Sequence, residues 1–247
     1  MRSNQRRGRA GISRYNPAMQ TITTLNWPAV TADLNANGNA VIGPLLTPAE
    51  CAELVALYDA PEPFRSTVIM ARHGFGRGEY KYFAHPLPDP VAALRTALYP
   101  PLAAIANAWQ ATLGQSARFP ATHADYLATC HAAAQTRPTP LLLRYGPGDY
   151  NCLHQDLYGD LAFPLQVAIL LDDAFTGGEF TLTEQRPRMQ SRVEVVPLRQ
   201  GEAVIFPVNQ RPVLGSKGPY RVAMRHGVSK LRTGRRHTLG IIFHDAR

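Results

Sequence analysis

From Pro138 onward the chain breaks into eight short β-type segments: LLLRYG, YNCLHQ, PLQVAILL, GEFTLTE, RVEVVPL, EAVIFPV, YRVAMRHGV and HTLGIIF. Gly, Pro, Asn and Asp punctuate them. Strands this short and this closely spaced bury their apolar faces only by pairing into two packed sheets, as in a sandwich or jelly roll. Ahead of Pro138 the pattern is mostly helical. AVIGPLL (40–46) reads as a short strand. In TPAECAELVALYD, Thr47 and Glu50 form a capping box and Pro48 sits in the first turn, so a helix is predicted, ending near Asp59. STVIMARHGFGRGEYKYFAH (66–85) reads as strand, glycine-rich loop, strand. Two alanine-rich helices follow, VAALRTALYPPLAAIANAWQATLG, expected to break near Pro100-Pro101, and ATHADYLATCHAAA. The expected fold is α+β and mainly β, a double-stranded β-helix (jelly roll) core with N-terminal helices packed on it. Residues 1–20 read as an unstructured basic tail. Residues 21–247 read as one domain, with helical support over 21–137 and the jelly-roll core over 138–247.

The formal net charge is +8, and Arg2, Arg6, Arg7, Arg9 and Arg14 carry much of it. That tail is either a solvated charge run or a tether to nucleic-acid phosphates. Cys51, Cys130 and Cys152 form no disulfide framework and no CxxC zinc pattern, which suits a reducing compartment. Cys152 reads as core packing. No apolar run reaches the roughly 18 residues of a membrane span, and no apolar stretch follows the basic N-terminus as in a secretory signal. A cytoplasmic protein without a membrane partner is expected.

LHQDLYGD (153–160) raises the question of chemistry. On a strand His154 and Asp156 share a face, and imidazole with carboxylate suits a cation such as Fe(II). Taken alone, HxD is a weak signal, and a polar strand end explains it equally. A third ligand would come from a distant strand, and His226, His237 and His244 are the candidates. Ten residues after His226 stands Arg236. It shares a strand face with Thr238, while His237 points the other way. A buried arginine beside a hydroxyl is a receptor for a carboxylate.

HxD, a distant histidine and then Arg-x-Thr on a strand resemble the 2-oxoglutarate/Fe(II)-dependent dioxygenases. The resemblance covers about residues 138–245, and GGEFTLTE and QGEAVIFPV are similar to strands of the prolyl-hydroxylase-like members. RYGPGDYNCLHQD resembles the corresponding stretch of the AlkB-type nucleic-acid dealkylases, and the overall build, with LTPAECAELVALYD and FRSTVIMARHGFGRGEYKYF ahead of it, resembles bacterial proteins grouped as oxygenases acting on damaged nucleic acid. The resemblance implies Fe(II) on His154, Asp156 and His226, the catalytic set. It implies 2-oxoglutarate on Arg236, with Thr238 and Tyr145 assisting, molecular oxygen as co-substrate, and ascorbate as a further candidate cofactor. Halogenating relatives carry a small residue in place of Asp156, so the aspartate implies hydroxylation. Two positions depart from the AlkB pattern, where Leu143 replaces an asparagine and Ile242 a second arginine. The base-handling role therefore does not carry over residue by residue.

Two basic stretches lie on the substrate side. RHGFGRGEYKYF (72–83) offers Arg72, Arg77 and Lys81 to phosphates and Phe75, Tyr80 and Tyr82 to bases, or it is an ordinary hairpin with a charged tip. NQRPVLGSKGPYR (209–221) offers Arg211, Lys217 and Arg221 near the iron mouth. The expected activity is oxidative demethylation of alkylated, single-stranded nucleic acid, as in DNA repair. The alternative is a hydroxylase of a protein residue such as proline, or of a small molecule.

Overall fold

The computed structural model describes residues 16–60, 62–116 and 118–247. All eight expected strands form: β5 (Leu141–Tyr145), β6 (Tyr150–His154), β7 (Leu165–Leu170), β9 (Phe180–Gln185), β10 (Arg192–Val196), β11 (Ala203–Pro207), β13 (Gly218–Val228) and β15 (Arg236–Ile241). Three more short strands join them: β8 (Phe175–Gly177), β12 (Gln210–Gly215) and β14 (Leu231–Gly234). β12 falls in the stretch expected to be a basic loop. It pairs antiparallel with β13 from Gln210↔Ala223 to Gly215↔Gly218. Pro212 is tolerated because β12 is an edge strand with one neighbour.

The strands expected at 40–46 and on either side of the 66–85 loop form as well, as β1 (Ala40–Ile42), β2 (Phe64–Ile69) and β4 (Glu79–Phe83), and the short β3 (Gly76–Arg77) lies within that loop. The larger sheet runs β1-β11-β7-β15-β5-β4-β2 and the smaller β10-β9-β13-β6-β3, with β12 beside β13. Phe180, Leu182, Val222 and Met224 of the smaller sheet meet Val204 and Phe206 of the larger one in a core between the two sheets.

The helices are α1 (Asn16–Thr24), α2 (Trp27–Asn37), α3 (Pro48–Ala56), α4 (Asp89–Thr112) and α5 (His123–Ala132). They cover the outer face of the larger sheet in one core, with Leu34, Leu94, Leu98 and Leu102 against Leu142, Ile169, Ile205 and Leu239. β15 is buried along its whole length, as a central strand covered on both faces must be. α1 begins inside the span expected to be unstructured, because burying Ala18 and Ile22 in this core offsets the cost of ordering it. The arginines of residues 1–14 lie outside the described residues.

α4 runs through Pro100 and Pro101 without the expected break. A proline there leaves the carbonyl four residues earlier without its helical partner. For Pro100 that carbonyl belongs to Thr96, and both residues are exposed, so water can take the bond. The buried face of Leu94, Leu98, Leu102 and Ala106 holds both halves on the sheet. Arg95 locks α4 to the chain end, donating to the carbonyls of Ile242 and His244 at 2.7 and 3.0 Å and to Asp245 Oδ1 at 2.8 Å.

Candidate active site

β6 and β13 pair so that His154 stands directly opposite His226. Gly227 makes this register possible, since a Cβ there would stand 2.7 Å from the Asn151 carbonyl oxygen. Asp156 lies just beyond the end of β6, and its carboxylate reaches the Nε2 atoms of both rings. His154 Nε2 is 3.4 Å from Asp156 Oδ1 and His226 Nε2 is 3.2 Å from Oδ2. The three ligand atoms all lie within 4.8 Å of one another. Neighbouring ligands at about 2.1 Å from one ion stand about 3 Å apart, so the set fits a single cation. His154 Nδ1–H donates to the Cys152 carbonyl at 2.8 Å, which leaves the Nε2 lone pair of the neutral ring free for a metal. Phe206 lies against the His226 ring at 4.6 Å between centroids, and Phe180 stacks on it at 6.0 Å.

Electrostatics favour a charged carboxylate here. Burial raises the Asp156 carboxyl, but hydrogen bonds from His154 and His226 and their charges outweigh it and hold it well below the usual range. Burial pulls His226 down, only partly offset by Asp156. Burial also pulls His154 down, yet Asp156 and the Cys152 carbonyl bring the net shift upward. Two groups that the sequence reading did not single out hold the aspartate. Tyr158 donates its hydroxyl to Oδ1 at 2.7 Å and Gln166 its amide to Oδ2 at 2.8 Å. Both carried a signal: Tyr158 lies two residues past Asp156, and Gln166 is the polar residue in an apolar strand, LQVAIL.

The same cavity, about 220 Å³, reaches from the triad to Arg236, Thr238 and Tyr145. β15 and β5 pair Arg236 with Tyr145. The Arg236 Nη1 donates to Thr238 Oγ1 at 2.6 Å, and the guanidinium lies 5.7 Å from the Tyr145 ring centre. Burial pulls the guanidinium down, and Tyr145, Asp172 and Glu179 offset this only through space. Arg236 Nε, Tyr145 OH and Gln166 Oε1 are buried without partners. The orphaned donors of Arg236 and Tyr145 fit an anion at that end of the cavity, and the two-histidine, one-carboxylate set fits a metal at the other.

The other candidate ligands are spoken for. His237 Nδ1 is 2.8 Å from Asp172 Oδ2, on the opposite face of β15 from Arg236. His244 Nδ1 accepts from the Phe163 backbone N–H.

The substrate-side candidates divide. Tyr80 and Phe75 line the cavity. Tyr82 sits behind Tyr80, buried against Tyr158 with Arg65 over its ring. Arg72 is exposed, and Arg77 is exposed 3.8 Å from Asp149, on the β3 rung that pairs with β6. Lys81 is turned to the other face of β4, donating to the Tyr58 carbonyl at 2.7 Å. Arg211 is 2 % exposed and is not at the mouth. It is tied to Glu184 and to the carbonyls of Asn35 and Ala36, fastening β12 to α2. Loop-like composition does not reveal which arginine turns inward. Cys152 is exposed rather than packed in the core, because β6 is open on both faces here.

Comparison with known proteins places this geometry in a family. The model of the Oxygenase-NA family, described as an oxygenase catalysing oxidative methylation of damaged DNA, matches residues 78–246. An uncharacterized Mycobacterium tuberculosis protein, found in two strains, is 52% identical over 167 residues, 66% of this chain and 72% of that protein. A 2OG-Fe(II) oxygenase family oxidoreductase from Burkholderia pseudomallei superposes with a TM-score of 0.55 at 16% identity, covering 90% of this chain and 93% of its own. The α-ketoglutarate-dependent epimerase SnoN of nogalamycin biosynthesis gives 0.52 at 17% identity, covering 87% and 81%. These two likenesses establish the fold. The family model spans more than half of the chain, and the protein therefore belongs to this oxygenase family, an oxidoreductase with the fold of the 2-oxoglutarate/Fe(II) oxygenases.

Proposed function

We propose that the protein oxidises a C–H bond of an N-alkyl group on damaged, single-stranded nucleic acid, using Fe(II), 2-oxoglutarate and molecular oxygen. The observation that carries the reading is one cavity with a two-histidine, one-carboxylate set at one end and, at the other, a buried arginine with no contacting carboxylate among the described residues. His154, Asp156 and His226 would hold the metal. Arg236 would take the far carboxylate of 2-oxoglutarate through its fork of donors, with Thr238 holding the guanidinium and the Tyr145 hydroxyl adding a donor. Bound together, the iron and 2-oxoglutarate supply dioxygen-driven hydroxylation, with succinate and carbon dioxide as by-products.

The protein's own part is to orient and to exclude water. Leu141, Leu143, Val228 and Ile242 line the cavity with apolar surface. Phe75, 47% exposed at the rim, would stack on a base, with Tyr80 below it, while Arg72 and Arg77 flank it for phosphates. A hydroxylated carbon attached to nitrogen loses its C–N bond, releasing an aldehyde and returning N–H to the base. The description of the matched family, damaged DNA, supports this substrate class. Among the described residues no helix is long and apolar enough to cross a membrane.

Succinate release from 2-oxoglutarate with added Fe(II) tests the proposal. We expect N-methylated single-stranded DNA to raise it and to yield formaldehyde, and a proline-rich peptide to leave it unchanged. His226→Ala should abolish both products. Stimulation by the peptide alone would overturn the substrate assignment, and equal silence of wild type and variant would overturn the chemistry.

A further inference from the structure

The Asp156 carboxylate is gripped on both oxygens before any metal is considered. A carboxylate oxygen has two acceptor directions. Tyr158 uses one on Oδ1 and Gln166 one on Oδ2, leaving one on each oxygen for the side where His154 and His226 lie. Gln166 is 5% exposed, on a central strand, and its Nε2 also stands 3.3 Å from His226 Nε2. A carboxylate only accepts, so the amide must present nitrogen to Asp156 and turn its oxygen away. That oxygen is then a buried acceptor with no partner among the described residues, an uncompensated desolvation cost. An apolar residue would avoid this cost, as Ala168 does on the same face of the strand.

We infer that Gln166 is a positioning residue for the metal site: it holds the Asp156 carboxylate in the one rotation that faces both histidines, with Tyr158 as its counterpart on the other oxygen. The inference rests on the metal reading of the triad. It extends that reading by naming two residues whose substitution should alter the metal's affinity and geometry without removing a ligand. Hydrogen bonds to the groups that ligate a metal are worth about 10–100-fold in its affinity.

Co(II) binding to the full-length protein is the test, read by equilibrium titration and by the visible absorption bands of the bound ion. Gln166→Met keeps the volume and removes the donor. We expect it to weaken Co(II) binding by about 10–100-fold and to shift the bands, and Tyr158→Phe to act in the same direction. Ile169→Val on the same strand should lower thermal stability and leave both readouts unchanged, which separates positioning from mere support. Wild-type Co(II) affinity and spectrum in a folded Gln166→Met protein would overturn the inference alone. A wild type that takes up no Co(II) would sink the metal reading and the inference together.

Discussion

Arg236 is a buried charge that gains little from the protein's own contacts. Its one side-chain hydrogen bond among the described residues goes to Thr238, and the rest of the buried charge is compensated only at a distance. Replacing a poorly paired buried charge by an apolar side chain of similar size is often stabilising. Arg236→Met should therefore raise the melting temperature of the ligand-free protein. It should also remove the stabilisation that 2-oxoglutarate gives wild type, which approaches 3 kcal/mol at about 100 times its dissociation constant. Thermal scans with and without 2-oxoglutarate decide this; a variant that keeps the ligand shift would mean that the anion binds elsewhere. Much of this site was legible because strand alternation is rigid. Arg236 with Thr238 follows from a spacing of two once β15 is recognised, and Asp156, although it lies past the end of β6, still meets His154. Arg211 and Lys81 were not legible. Whether a side chain in a polar stretch meets Glu184 or the Tyr58 carbonyl depends on contacts across more than twenty residues of chain.

At the scale of elements, capping and breaking signals met different fates. The Thr47 capping box is fully formed, with Glu50 N–H donating to Thr47 Oγ1 at 3.3 Å and the Thr47 N–H to Glu50 Oε2 at 2.8 Å. These bonds lie within one turn, so no distant packing competes with them. Thr47→Ala should cost about 1 kcal/mol, lowering the melting temperature by about 2–4 °C for a chain of this size. An unchanged midpoint would show that the α3 end is held by packing instead. The pair of prolines in α4 was the contrary case. Two lost backbone bonds are a local effect, and the buried stripe from Leu94 to Trp109 outweighs it through contacts that lie on the sheet. β12 escaped recognition for a related reason: its pairing with β13 compensates for a proline and a charge that locally argue for a loop. Local signals fail where a partner element supplies the free energy.

For the whole molecule, the C-terminal segment ties helices to jelly roll through buried polar groups, and that arrangement sets a response to acid. His123 at the start of α5 donates Nε2–H to the Phe243 carbonyl at 2.9 Å, and His244 accepts from Phe163 N–H. Burial, then the Arg95 charge, lowers His123 from 6.5 to about 4, and the same two causes lower His244 to about 4. Asp245 partly offsets both shifts, but Arg95 is tied to it at 2.8 Å, so its charge is largely spent. A group whose folded pKa is depressed leaves the folded state holding fewer protons than the unfolded chain. Its contribution is complete above about 6.5 and is lost as the pH falls toward about 4. A shift of this size is worth roughly 3 kcal/mol per histidine, and the total stability of a domain is about 5–15 kcal/mol. Acid unfolding should therefore begin between about pH 6 and 4, before most carboxylates titrate. His123→Gln keeps a donor near the Phe243 carbonyl but cannot take up a proton. Its denaturant midpoint should fall less between pH 7 and 5 than that of wild type. Parallel pH profiles for the two proteins would show that this histidine is not part of the acid response and that the loss begins with the carboxylates.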